Sequence, residues 1–194
     1  MAGHSRWIQI RHKKAITDAK KGQLFSKMVR EIMVAVRMGG SSHGANTRLR
    51  AAMERAREQG LPKDNIERAI ERASGEGEAG KLQEFLYEAI GSVPRQSETA
   101  GMAARPQSGL ARGRVMILIE GITDNKNRTF AEIKQILAKH GAKLVAPNSL
   151  LWNFEKDYRP KSSVEITSEE KEKIFPLMDE LADHQDVQKV YTNL

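Results

Sequence analysis

An α+β chain, with an all-helical module first and a small α/β sandwich domain after it, is what three features of the 194-residue sequence predict. Apolar residues recur at helical spacing up to about residue 75. Past a Gly- and Glu-rich break, the pattern changes to short runs of branched and aliphatic residues. Two further helical stripes lie among those runs, enough to cover one face of an antiparallel or mixed sheet. The units expected are 1–76 and 81–194, with the boundary near Gly77.

In the first unit, Leu24, Phe25, Met28, Val29, Ile32, Met33 and Val36 share one face of a helix that Gly39 and Gly40 end. After the loop "SSHGAN", Asn46 can cap a second helix whose inward face is Leu49, Ala52, Met53 and Ala56, closed by Gly60. Leu61-Pro62 begins a third. Asp64 and Glu67 have capping-box spacing there, and Ile66 and Ile70 supply the buried stripe. "GEGEAG", residues 75–80, is a linker by composition.

In the second unit, "EFLYEAI" and "RVMILIEG" read as strands. Between them, residues 92–113 are small, polar and punctuated by glycine and proline, so a long loop is expected. Thr129 and Glu132 have capping-box spacing for a helix through His140, with Phe130, Ile133 and Leu137 inward and Gly141 at its end. "LLWNF" alternates Leu150, Trp152 and Phe154 as a half-buried strand would. Val164 and Ile166 suggest another strand. Thr167 and Glu170 cap a last helix carrying Ile174, Leu177, Met178 and Leu181, with Pro176 inside it, and "VQKVY" closes the chain as a strand.

Most catalytic and ligand-binding classes find no support. With no cysteine there is no disulfide, thiol nucleophile or cysteine–zinc site, which fits a reducing, cytoplasmic setting. No apolar run approaches bilayer length, so no membrane association is expected. His4, His12, His43, His140 and His184 show no metal-ligand spacing, and no Walker loop, GxGxxG or GxSxG occurs, so no metal, cofactor or small-molecule substrate is expected. "TDNKNRT", residues 123–129, could hold a catalytic carboxylate or amide. It also has the composition of any helix start, and with no partner acid or base elsewhere capping is the stronger reading. A non-enzyme is expected.

Charge is the informative quantity. Residues 1–75 carry sixteen Lys and Arg against seven Asp and Glu, a net of +9. The remainder is −2, which together make the chain's +7. A localised positive field attracts polyanions, whose counterions are released on binding. Its densest part is the opening segment, with Arg6, Arg11, His12, Lys13, Lys14, Lys20 and Lys21 around Trp7 and one acid, Asp18. Arginine grips phosphate as a fork and lysine as a point charge. Trp7 can stack on an unpaired base or pin the segment to the helices, and the two roles are compatible. Lys27, Arg30, Arg37, Arg48 and Arg50 extend the candidate surface, and Arg37 beside "GGSSHG" resembles a phosphate site. Arg48, Arg55 and Glu54 are spaced for partial pairing within their helix.

Several long motifs then carry a resemblance in a fixed order. "MAGHSRWIQIRHKKAITDAKKGQLFSKMVREIMVAVRMGG", "NTRLRAAMERAREQGLPKDNIERAIERASGEG", "LIEGITDNKNRTFAEIKQILAKHGAKL" and "PKSSVEITSEEKEKIFPLMDELADHQDVQKVYTNL" resemble the YebC/PmpR-type family. The resemblance implies a helical N-terminal domain followed by mixed α/β domains. It implies a DNA-binding transcriptional regulator, or a ribosome-associated translation activator as described for related members. It places Arg6, Trp7, Arg11, His12, Lys13, Lys14, Lys20, Lys21 and Lys27 in the family's basic N-terminal region. The chain departs from the family in two places. "DYR" bridges a point near 156–160 where the family inserts a further α/β domain. The glycine-rich turn that the family has before "RVMILIEG" is replaced by the 92–113 loop.

The reading is a non-enzymatic, nucleic-acid-binding regulator of gene expression, with DNA and transcription favoured. One alternative is a ribosome-associated translation factor on ribosomal or transfer RNA. Another is a protein-interaction scaffold whose basic face only aids solubility.

Overall fold

The computed structural model describes residues 18–75, 81–91 and 115–194. Arg6, Trp7, Arg11, His12, Lys13 and Lys14, the expected boundary near Gly77 and the expected loop at 92–113 lie outside the described residues.

Three helices come first: α1 Asp18–Gly39, α2 Thr47–Glu58 and α3 Lys63–Ser74. Helix α1 starts earlier than its apolar stripe and ends where Gly40 takes a positive φ of 79°. Ile32, Ala35 and Val36 of α1 meet Leu49, Ala52, Met53 and Ala56 of α2 and Ile66, Ala69 and Ala73 of α3 in one apolar cluster. Asn46 caps α2 by accepting from Leu49 N, as its position predicts. Helix α3 is not capped by Asp64. It begins at Lys63, after Pro62, with no side-chain cap, so Asp64 lies inside the first turn as a favourable charge at the helix's positive end.

An α+β layer follows. Strands β1 Gln83–Gly91 and β2 Val115–Thr123 pair antiparallel, Gln83 opposite Thr123 through Gly91 opposite Val115. With β3 Lys143–Leu144 and β4 Val187–Thr192 they form one antiparallel sheet of order β3-β1-β2-β4. Helices α4 Lys126–Lys139 and α5 Ser168–Asp183 cover one face. Ile133, Leu137, Ile174, Leu177, Met178 and Leu181 pack there on Phe85, Ala89, Val115, Ile117, Ile119, Val187 and Val190. Leu150 and Phe154 cover Ile90, Met116 and Leu118 on the other face. Covered on both sides, β2 is buried at every position but Glu120, so it reads as an unbroken apolar run.

Four local expectations give way. Helix α4 is capped by Asn125, not Thr129, which lies inside it and is buried. With Thr129, Ile133 and Leu137 inward, the stripe is rotated and Phe130 is 44% exposed. "LLWNF" is not a strand. Leu151–Asn153 form a 3-10 turn that leaves Trp152 52% exposed, its Nε1 donating to Ser149 O at 2.9 Å. Val164 and Ile166 form no strand. Val164 makes one backbone bond, to Asn193 O at 2.7 Å. The Thr167–Glu170 capping box of α5 is present in full, and the helix runs through Pro176.

Candidate nucleic-acid interface

Seven of the basic side chains singled out from the sequence are described, and five of them reach toward the sheet. Lys27 is 9% exposed and donates through Nζ to Ala182 O at 2.6 Å, at the C-terminal turn of α5. A cation there meets free carbonyls and the negative end of the helix. Arg30, one turn further along α1, donates to Gln185 O at 2.8 Å and Asp186 Oδ1 at 2.6 Å. Lys20 pairs with Asp183 at 3.1 Å. Arg37 donates to Leu82 O at 2.7 Å rather than facing the "GGSSHG" loop. Arg48 forks onto both carboxylate oxygens of Glu84 and touches Met38 Sδ, and that bond to Glu84 holds its guanidinium above the usual arginine range. The expected pairing within α2 is therefore replaced. Arg48 crosses to β1, and Arg55 to Glu31 of α1.

A phosphate approaching Lys27 or Arg30 would have to displace buried partners, so these two hold α1 against the sheet layer. Lys20 keeps about half its side chain in water. Lys21 and Arg50 are exposed and their charged ends have no hydrogen bond or ion pair among the described residues. In sequence Lys20 and Lys21 continue the segment holding Arg6, Arg11, His12, Lys13 and Lys14.

Asp186 is the centre of this seam and was not a candidate in the sequence. It is fully buried. Its Oδ2 accepts from Thr129 Oγ1 at 2.6 Å and Arg128 Nη2 at 2.8 Å, with Thr123 Oγ1 at 3.2 Å, while Oδ1 takes Arg30. Burial alone would push this carboxyl up. The Thr129 hydrogen bond and the Arg128 and Arg30 charges outweigh it and hold Asp186 below the usual carboxylate range. The turn "TDNKNRT" thus does more than cap. Asn125 accepts from Arg128 N at 3.1 Å, and Thr123, Arg128 and Thr129 converge on a carboxylate 57 to 63 residues away. The polar turn was the one signal in the sequence. Nothing local could name its partner.

Glu132, His184 and Asp186 come close enough to hold a metal ion. Their donor atoms are already committed, Glu132 and His184 to each other and the Asp186 carboxylate to Thr129, Arg128 and Arg30. His184 Nδ1 accepts from Asp186 N at 3.1 Å, which leaves Nε2 to donate to Glu132 Oε2 at 2.9 Å. A cation would also compete with two guanidinium groups for Asp186, so the cluster reads as a self-satisfied network. No described helix is long and apolar enough to cross a membrane.

The comparisons with known proteins agree with this architecture. The model for the TACO1/YebC protein N-terminal domain matches residues 5–76, and that for the TACO1/YebC second and third domain matches 107–158 and 155–194. A "Probable transcriptional regulatory protein" of Dictyoglomus turgidum is 34% identical over 257 aligned positions, which take in all of this chain and 95% of that one. One of Aquifex aeolicus with the same description is 41% identical over 171, taking in 88% of this chain and 61% of its own. A crystal structure of a conserved hypothetical protein from Aquifex aeolicus superposes with a TM-score of 0.77 at 28% identity, covering 97% of this chain and 96% of that one. Matched through its three helices and from β2 to the last strand, the chain belongs to the TACO1/YebC family.

Proposed function

We propose that this protein is a non-enzymatic, cytoplasmic, nucleic-acid-binding regulator of gene expression, with duplex DNA as the favoured target. The observation that carries this is the placement of charge. Residues 1–17 hold Arg6, Arg11, Lys13 and Lys14 and no acid, and they lead directly into the exposed Lys20 and Lys21 of α1. Helix α1 is tied to the sheet layer by Lys27 and Arg30, so the point where this basic segment joins the described fold is fixed. A cation cluster on a fixed base captures phosphate without having to order a whole helix first. The relatives' description as probable transcriptional regulatory proteins supports the same reading. The sheet layer then serves as a mount for α1. Crosslinking in cells followed by sequencing of the bound nucleic acid tests the proposal. Enrichment of genomic DNA fragments is expected. Reads confined to ribosomal or transfer RNA would move the function to translation. No nucleic acid above background would overturn it.

A further inference from the structure

Helix α4 lies in the half of the chain whose net charge is −2, yet its outward face carries no acid. Lys126, Phe130 and Lys134 are exposed and follow one another at four-residue steps, so they form one stripe about 12 Å long. Asn127, Ala131, Gln135 and Ala138 beside them are exposed, small or uncharged. The helix's one acid, Glu132, is turned away to His184. Lys126 and Lys134 have no ion pair among the described residues, whereas Arg128 and Lys139 of the same helix are both paired, to Asp124 and Asp186 and to Glu180.

A single exposed phenylalanine is unremarkable on most surfaces. Phe130 differs because it is held at the centre of this cationic stripe. Tyr87 meets it edge-on, with centroids 5.6 Å apart and planes at 83°, and Tyr87 is itself stacked on the buried Phe85 at 4.6 Å. The ring therefore stands on an aromatic column that reaches the core. An oriented aromatic ring with a lysine one turn to either side is the arrangement that binds unpaired nucleic acid, with a base on the ring and the flanking phosphates on the ammonium groups. A duplex offers no free base face there. An anionic membrane is a poorer match, since the helix's apolar residues Ile133 and Leu137 are already in the core.

We infer that the outer face of α4, centred on Phe130 with Lys126 and Lys134, is a second nucleic-acid site, specific for single strands and separate from the basic N-terminal segment. The test uses the full chain with short labelled oligo(dT), oligo(U) and duplex DNA. Phe130→Ala is expected to weaken both single-stranded probes roughly tenfold and leave duplex affinity unchanged, with a small fall in thermal midpoint from the lost contact with Tyr87. Phe130→Trp is expected to retain binding, and the Lys126→Glu/Lys134→Glu pair to lose it along with part of its salt dependence. A difference between oligo(dT) and oligo(U) would tell which single strand is preferred. Wild-type binding of both oligonucleotides by Phe130→Ala and by the lysine pair would overturn the inference, as would capture of anionic vesicles with no oligonucleotide binding. Charge reversal at Lys13, Lys14 and Lys21 separates the two sites. Loss of duplex binding with oligonucleotide binding intact supports this site, and loss of both together places all recognition in the N-terminal segment and overturns it.

Discussion

Asp186 carries a charge with no surface in water, and its partners come from three elements: Arg30 of α1, Thr123 at the end of β2, and Arg128 and Thr129 of α4. Removing one partner of a buried pair leaves the other uncompensated. Because both arginines keep some access to water, Asp186→Asn should cost about 3 kcal/mol, the low end for such a change, read as a shift in denaturant midpoint. The pH dependence has a definite sign. The carboxyl titrates lower in the folded chain than in the unfolded one. Its stabilisation is complete above the ordinary aspartate range near pH 4 and is lost as pH falls through the folded value. Glu180, held down by His140 and then Lys139, steepens the same acid limb. The Asp186→Asn variant should show a flatter fall in stability below about pH 4 than the wild type. Gly121 guards this residue from the sheet side. It sits where the β2–β4 register shifts, and a Cβ there would collide with the carbonyl oxygen of Asp186 and the ring of Phe85. Gly121→Ala should destabilise by about 1–3 kcal/mol in the same measurement.

Between elements, Asn46 does more than cap α2. Its Nδ2 donates to Ala35 O at 2.7 Å and Gly40 O at 2.9 Å, so one buried amide ties the end of α1 to the start of α2. Asn46→Ala should cost about 2 kcal/mol, more than a cap alone, and calorimetry would show it as a lowered thermal midpoint. The cap was legible in the sequence because it is a local bond. The two bonds back to α1 were not, since they depend on how the loop folds over. The same distinction runs through the molecule. Helix stripes and the two long strands follow from local period and were readable. "LLWNF" misled because Leu150 and Phe154 are four residues apart, a spacing that suits one turn of helix as well as alternate strand positions, and only Trp152 separates the two. Phe130 misled because Phe130, Ile133 and Leu137 fit one helix face as well as Thr129, Ile133 and Leu137 do. The deciding contact, Thr129 with Asp186, lies 57 residues away.

At the scale of the whole chain, the proposed function gives the excess of positive charge two purposes that composition cannot tell apart. Part of it is structural. Lys20, Lys27, Arg30, Arg37 and Arg48 bind carbonyls and carboxylates in residues 82–186 and orient the helices on the sheet. Lys21, Arg50 and the cations of residues 1–17 are the part that the proposed function assigns to a polyanion. The sequence shows where the positive charge is concentrated. It could not assign its members, because the bonds that hold α1 to the sheet layer join residues 45 to 163 positions apart. The most direct test of this division is the affinity of the full chain for duplex DNA and for RNA across a salt series, for wild type and for Lys13→Glu/Lys14→Glu/Lys21→Glu, with Lys20 left to hold Asp183. With this division, wild-type binding falls steeply with salt, and the variant binds more weakly with a log–log slope shallower by roughly three, about one per lysine. A variant with wild-type affinity and slope, or a wild type with no attraction for either polymer in dilute buffer, would contradict it.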